Sequence, residues 1–168
     1  LLAEGVQLLL ERMDRHEPAL GRADELSATM TSSAQSALSR MAERLSLPKE
    51  RIDPARFLLA VQTYYALVVK LVSSAIIERA VPVEMPQLIT LQRDDLEGME
   101  AGHRAIRCGV DAFPDALPWG WYLDVWDRVL ETWLQGVARH MHEMDLLTAE
   151  TDPAAGHDLF GTFYMSLF

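Results

Sequence analysis

A chain of 168 residues, 49% hydrophobic and 24% charged, is long enough for one domain with its own core and too apolar for extended disorder. Its 25 acidic against 15 basic side chains leave a formal net charge of -10. That repels phosphate backbones, and no Lys/Arg cluster offsets it, so the domain is a poor candidate for gripping nucleic acid by itself. The single Cys108 excludes an intrachain disulfide and suits a reducing cytosol.

Residues 1–16 set Leu2, Val6, Leu9 and Met13 on one face at helical spacing, with Glu4, Glu11, Arg12 and Arg15 elsewhere. The opening LLAEGVQLLL has no charged region ahead of it, so it does not read as a signal peptide. The tetrapeptide GRAD, 21–24, predicts a break. A second helix is then expected over 24–45, with Leu26, Met30, Ala34, Ala37, Met41 and Leu45 as its stripe and a Ser/Thr-rich opposite side. LPKERID follows as a polar connector. Asp53-Pro54 reads as an N-cap and a first-turn proline.

The helix predicted over 54–80 contains TYYALVVKLVSSAII, almost wholly apolar around Lys70. It is long enough for a membrane span, which needs about 20 apolar residues. However, it carries Gln62, Thr63, two tyrosines, Ser73 and Ser74, and a lysine at mid-bilayer costs on the order of 3 kcal/mol. A helix apolar nearly all round in a soluble protein is a central one. It is therefore read as the buried hub, with Lys70 reaching an acidic partner or snorkelling to the edge.

Pro82 and Pro86 in VPVEMP end that helix. Residues 87–118, with glycines and prolines interspersed, predict short helical turns joined by loops. Helix returns over WGWYLDVWDRVLETWLQGVARHMHEM, with Tyr122, Trp126, Val129, Trp133, Val137 and Met141 as its stripe. Asp152-Pro153 looks like the start of a last helical segment. No alternating strand pattern and no internal repeat is visible. The expected fold is all-α: an irregular multi-helix bundle around the central helix at about 54–80, with 1–168 as one domain.

The candidates for chemistry are few. In HMHEMD, His140 and His142 lie about 200° apart around a helix, so they cannot share a metal as a pair four residues apart would. Trp119, Trp121, Trp126 and Trp133 could form a base-stacking platform, but Asp124, Asp127, Glu131, Glu143 and Asp145 surround them where such platforms want a basic groove. Cys108 near His103 lacks the context of a thiol nucleophile, and Asp94, Asp95 and Glu97 read as a solvated charge run. There is no P-loop, GxGxxG or zinc-ribbon spacing. No catalytic, cofactor-binding or metal-binding residue is predicted.

Three stretches carry a family resemblance. FLLAVQTYYALVVKLVSSAII (57–77), FPDALPWGWYLDVWDRVLETW (113–133) and DPAAGHDLFGTFYMSLF (152–168) resemble, in this order and at these separations, the helical region preceding the catalytic domain of bacterial N-6 adenine-specific DNA methyltransferases. These are the large methylases of restriction-modification and phage-defence systems. The resemblance runs from about residue 53 onward; the first 50 residues match nothing in it. It implies a cytoplasmic helical spacer cut just before a methyltransferase domain. In the parent protein S-adenosylmethionine would be the cofactor and duplex DNA the substrate; neither is expected to bind strongly here. The apolar C-terminal run is consistent with that expectation: Asp158, Phe160, Phe163, Tyr164 and Phe168 would face the methylase core. The family's Gly-x-x-Tyr-Thr-Pro and Asn/Asp-Pro-Pro-Tyr/Phe motifs do not occur, so no catalytic residue is carried over. A partner subunit in a defence complex is compatible with this reading. The rival is a free-standing helical ligand-binding or dimerisation module whose apolar hub and Met/Trp content line a pocket.

Overall fold

The computed structural model describes residues 1–47, 52–80, 90–102 and 118–143; the side chains of 75–80, 118, 119 and 141–143 lie outside that description. Among the described residues there are six α-helices, one 3-10 segment and no strand. In chain order they are α1 (Leu2–Met13), α2 (Glu17–Thr29), α3 (Ser32–Arg44), α4 (Pro54–Ala80), α5 (Arg93–Glu100), the 3-10 segment (Pro118–Leu123) and α6 (Arg128–Glu143). The all-α architecture around one central apolar helix is the one the sequence predicts.

α4 begins where the sequence places it. The Asp53 carboxylate accepts the Ala55 and Arg56 backbone N–H groups at 2.9 and 3.0 Å, and Pro54 fills a position whose N–H would be orphaned. Helices α1, α2, α3 and the 3-10 segment all pack on α4. Phe57, Leu59, Ala60, Tyr64, Leu67, Val68 and Leu71 are fully buried along it. By length and composition the 54–74 stretch could cross a membrane, but most of it is enclosed by the protein's own helices.

α1 buries the expected stripe of Leu2, Val6, Leu9 and Met13. Gly5 lies on that same face because the helix sits directly against Trp133 and Tyr64. A Cβ at residue 5 would come within 2.2 Å of Trp133 Cζ2 and 2.9 Å of Tyr64 Cδ2. Two indole and phenol rings, 5.9 Å apart at their centroids, thus fill the space that a side chain on α1 would otherwise take.

The helix boundaries differ from the sequence reading in three places. GRAD does not break a helix: it lies inside α2, with Gly21 exposed and nothing within 4 Å of its Cβ direction. The break falls instead at 14–16, where the His16 imidazole caps α2 and Pro18 occupies its first turn. The helix expected over 24–45 is split at Met30 and Thr31, because the Thr31 hydroxyl accepts the Ala34 N–H at 3.3 Å and starts α3. α3 buries only Ala42 fully, with Leu38, Met41 and Leu45 half-buried, and Ala37 of the expected stripe is exposed.

The third difference concerns the aromatic segment. The 3-10 turn of 118–123 is separated from α6 by Asp124–Asp127, and Asp127 accepts the Leu130 N–H at 2.9 Å as the cap of α6. The buried face of α6 is accordingly Leu130, Trp133, Leu134, Val137 and Ala138, and Val129 of the expected stripe is 59% exposed. The Met141 side chain lies outside the described residues.

Candidate functional site: a polar seam beside the central helix

The richest chemistry among the described residues is a line of buried polar contacts where α4 meets the 3-10 segment and α5. Lys70, on the apolar hub, pairs with Glu100 at the end of α5. Glu100 also accepts the Tyr122 hydroxyl at 2.7 Å through its second carboxylate oxygen. The Lys70 and Glu100 side chains are only 11% and 15% exposed, so each charge depends on the other in a low-dielectric setting. Burial, then the neighbouring Glu100 charge, then the hydrogen bond to it push the Tyr122 hydroxyl well above its ordinary range; it stays a donor.

Two turns earlier on α4, Thr63 extends the seam. Its Oγ1 accepts the Trp121 indole N–H at 2.9 Å and its own proton goes to the Leu59 carbonyl at 2.8 Å. Tyr64, beside it, is pushed up to about 12 by burial and secondarily by Tyr65. Tyr64 and Tyr65 meet edge to face at 5.7 Å.

A second set of contacts fastens α1 to the segment joining the 3-10 turn to α6. Arg12, buried beside Leu9 and Met13 in sequence, donates from Nη2 to both oxygens of Asp127 at 2.9 and 2.8 Å and from Nη1 to the Leu8 carbonyl. Asp127 therefore serves as helix cap and counter-ion together. Partial burial pulls its carboxyl upward, but the Leu130 N–H and the Arg12 guanidinium outweigh that and hold it below the ordinary value of 3.8. His16 stacks obliquely on Trp121 at 5.8 Å and reaches Asp124 at 3.2 Å. Arg56 of α4 meets Asp14 at 3.0 Å, and Gln135 of α6 donates to the Leu91 carbonyl.

The seam's chemistry is cohesive. Lys70 and Arg12 face carboxylates, and the Trp121 indole N–H and the Tyr122 hydroxyl face oxygen acceptors, an arrangement that fixes the register of helices distant in sequence.

The residues singled out in the sequence distribute as follows. Of the two outcomes open to Lys70, it takes the acidic partner, and Arg12, read as lying off the apolar face, is instead buried in it. Trp121 and Trp133 are core residues; Trp126 is half-buried, with its N–H toward Glu131 at 3.4 Å. Trp121 and Trp133 have different neighbours: Trp121 lies on Thr63 and His16, and Trp133 on Tyr64. Asp95 accepts the Gln92 N–H at the start of α5, and Glu97 pairs with Arg93 at 3.0 Å, so this charge run caps and ties its own helix. His140 is exposed. Among the described residues no group of three or more His, Cys, Asp and Glu is placed to hold a metal. His103, Cys108, Asp158, Phe160, Phe163, Tyr164 and Phe168, together with the side chains of Trp119 and His142, lie outside the described residues.

Sequence reasoning missed Glu100 and Asp127 as partners and His16 as a cap. Asp127 had a readable signal, since an Asp three residues before an apolar helix position is a standard cap. Glu100 had none, because its tie to Lys70 is made by tertiary packing. No family model, curated protein or solved structure matches this chain.

Proposed function

We infer that the chain is a helical N-terminal or spacer domain of a bacterial S-adenosylmethionine-dependent adenine-N6 DNA methyltransferase, from a restriction-modification or phage-defence system in the cytoplasm. Its role is to brace the catalytic domain and position it relative to duplex DNA or a partner subunit. The parent reaction would move a methyl group from the cofactor to adenine N6, on a base turned out of the helix. No residue of this chain is assigned to catalysis or to the cofactor. Asp158, Phe160, Phe163, Tyr164 and Phe168 are proposed to contact the methylase core.

What supports this reading is the family resemblance of 57–77 and 113–133, together with the way these two stretches meet. Thr63 with Trp121, Tyr64 with Trp133, and Lys70 with Tyr122 through Glu100 join them along one seam. The described parts of these two stretches thus pack into one unit, as a spacer that braces a neighbouring domain requires.

The test is the reading frame beyond Phe168. A Gly-x-x-Tyr-Thr-Pro segment followed downstream by Asn/Asp-Pro-Pro-Tyr/Phe is expected. A stop codon within a few residues would overturn the proposal, and a free-standing ligand-binding or dimerisation module would take its place.

A further inference from the structure

We propose that His16 is a proton-sensitive cap that loosens the start of α2 while leaving that corner seated on the polar seam. The geometry selects one state of the ring. His16 Nδ1 accepts the Ala19 backbone N–H at 3.1 Å, so that nitrogen carries no proton. The proton of the neutral ring then sits on Nε2, where it donates to Asp124 Oδ2 at 3.2 Å. The neutral Nε2–H tautomer therefore meets both demands at once, and the side chain is only 11% exposed while it does so.

A proton added at Nδ1 turns that acceptor into a donor. It faces the Ala19 N–H, another donor, at the positive end of α2, so the cap is lost. The Ala19 N–H keeps its shared bond to the His16 carbonyl at 3.0 Å, which limits the damage to fraying of the first turn. Asp124 is the charged group in contact with the ring; the elements at this corner also carry the Arg12–Asp127 pair joining α1 to the same segment, the Arg56–Asp14 pair joining α4 to the end of α1, and Glu17 at the first position of α2. Asp124 attracts the cation more than the neutral ring, so the contact to the 118–127 segment persists as the cap opens.

The experiment is nuclear magnetic resonance of the intact protein from about pH 8 to about pH 5. At the upper end the His16 imidazole nitrogens should report the Nε2–H tautomer. On acidification the Ala19 amide should lose protection about threefold, the lower end of what a missing cap does, while the Trp121 indole N–H stays protected. In His16→Asn, whose carboxamide oxygen caps without titrating, the Ala19 protection should be flat across the range. An Nδ1–H tautomer at the upper end, or wild-type Ala19 protection that does not change, would overturn the proposal. The wild-type measurements decide it even where the variant fails to fold.

Discussion

Along α4, polar side chains reach across the sequence: Thr63 to Trp121, Lys70 to Glu100, and at the neighbouring α1 end Arg12 to Asp127. Within α2 and α3, Thr29 reaches back one turn to the Leu26 carbonyl, Ser36 to that of Ser32 and Ser39 to that of Gln35. The burial follows the same division, with residues 54–74 of α4 mostly enclosed and α3 fully burying a single alanine. Bonds of the first kind exist only in the assembled fold and fail together; bonds of the second kind persist whenever a short helix forms. The hub should therefore set global stability, and the α2–α3 arm should open below it.

The largest effect is expected at Glu100. Glu100→Gln keeps the shape and an acceptor for Tyr122 but leaves the Lys70 ammonium buried without a counter-charge. That should cost about 3–5 kcal/mol in chemical denaturation. Adding Lys70→Met should recover most of the loss, because the stranded charge goes with it. A cost under about 1 kcal/mol for the single change would mean that the seam does not hold the hub.

Next comes Gly5→Ala. The substitution gains about 1 kcal/mol of helix propensity, so a stabilisation would be expected on an open face. Here the new methyl would sit 2.2 Å from Trp133 Cζ2, with Tyr64 closing the other side. Overpacking a core in this way costs about 1–3 kcal/mol and wins where the neighbour is a ring that cannot swing away. Net destabilisation, with altered near-ultraviolet dichroism from Trp133, is the expected result. Gly21→Ala, on the exposed arm with open space above it, should show the propensity gain alone.

Asp127 tests the tie between α1 and the start of α6. Its carboxyl is held below 3.8, so its contribution is present above the ordinary carboxylate value and is lost as pH falls through the lower folded one. Asp127→Asn retains a cap and loses the charge facing Arg12. The Asp127 side chain is 43% exposed, and solvent screening holds the expected loss to about 1 kcal/mol at neutral pH. Urea midpoints should show wild type and variant converging as pH drops below about 4; a gap that persists in acid would place the effect in packing.

How much of this was legible in the sequence follows the same division. α4 could be read to its ends because Asp53-Pro54 is an unambiguous start and the apolar run is unbroken. α1 could be read because its stripe is periodic. The arm was misread because GRAD looks like a breaker, whereas an exposed glycine in a helix costs only about 1 kcal/mol, and α2 tolerates it once His16 and Pro18 have fixed its start. Histidine is outside the usual cap set, so nothing in the sequence marked that start. The Trp-rich segment was read as continuous helix because Tyr122, Trp126, Val129 and Trp133 fit the spacing by coincidence; Asp127 capping α6 turned the register and left Val129 in solvent. Lys70 announced its need for an acidic partner or a path to the edge, but the identity of Glu100 came from packing between residues thirty positions apart.

The smallest expected effect probes the arm itself. α3 ends with Ser46 in the left-handed conformation at φ 57, where the Ser46 N–H returns to the Glu43 carbonyl and the Leu47 N–H to the Ala42 carbonyl. That position favours glycine, since a Cβ crowds the following carbonyl. Ser46→Gly relieves the crowding but loosens the unfolded chain, so the net gain should be about 0.5 kcal/mol. If the arm opens independently of the hub, the gain should appear as two- to threefold slower amide exchange at Leu45 and Leu47, about RT ln of that factor, with the global denaturation midpoint unmoved. A midpoint that rises by the full amount would show instead that α3 unfolds only with α4, and the separation between hub and arm would fail.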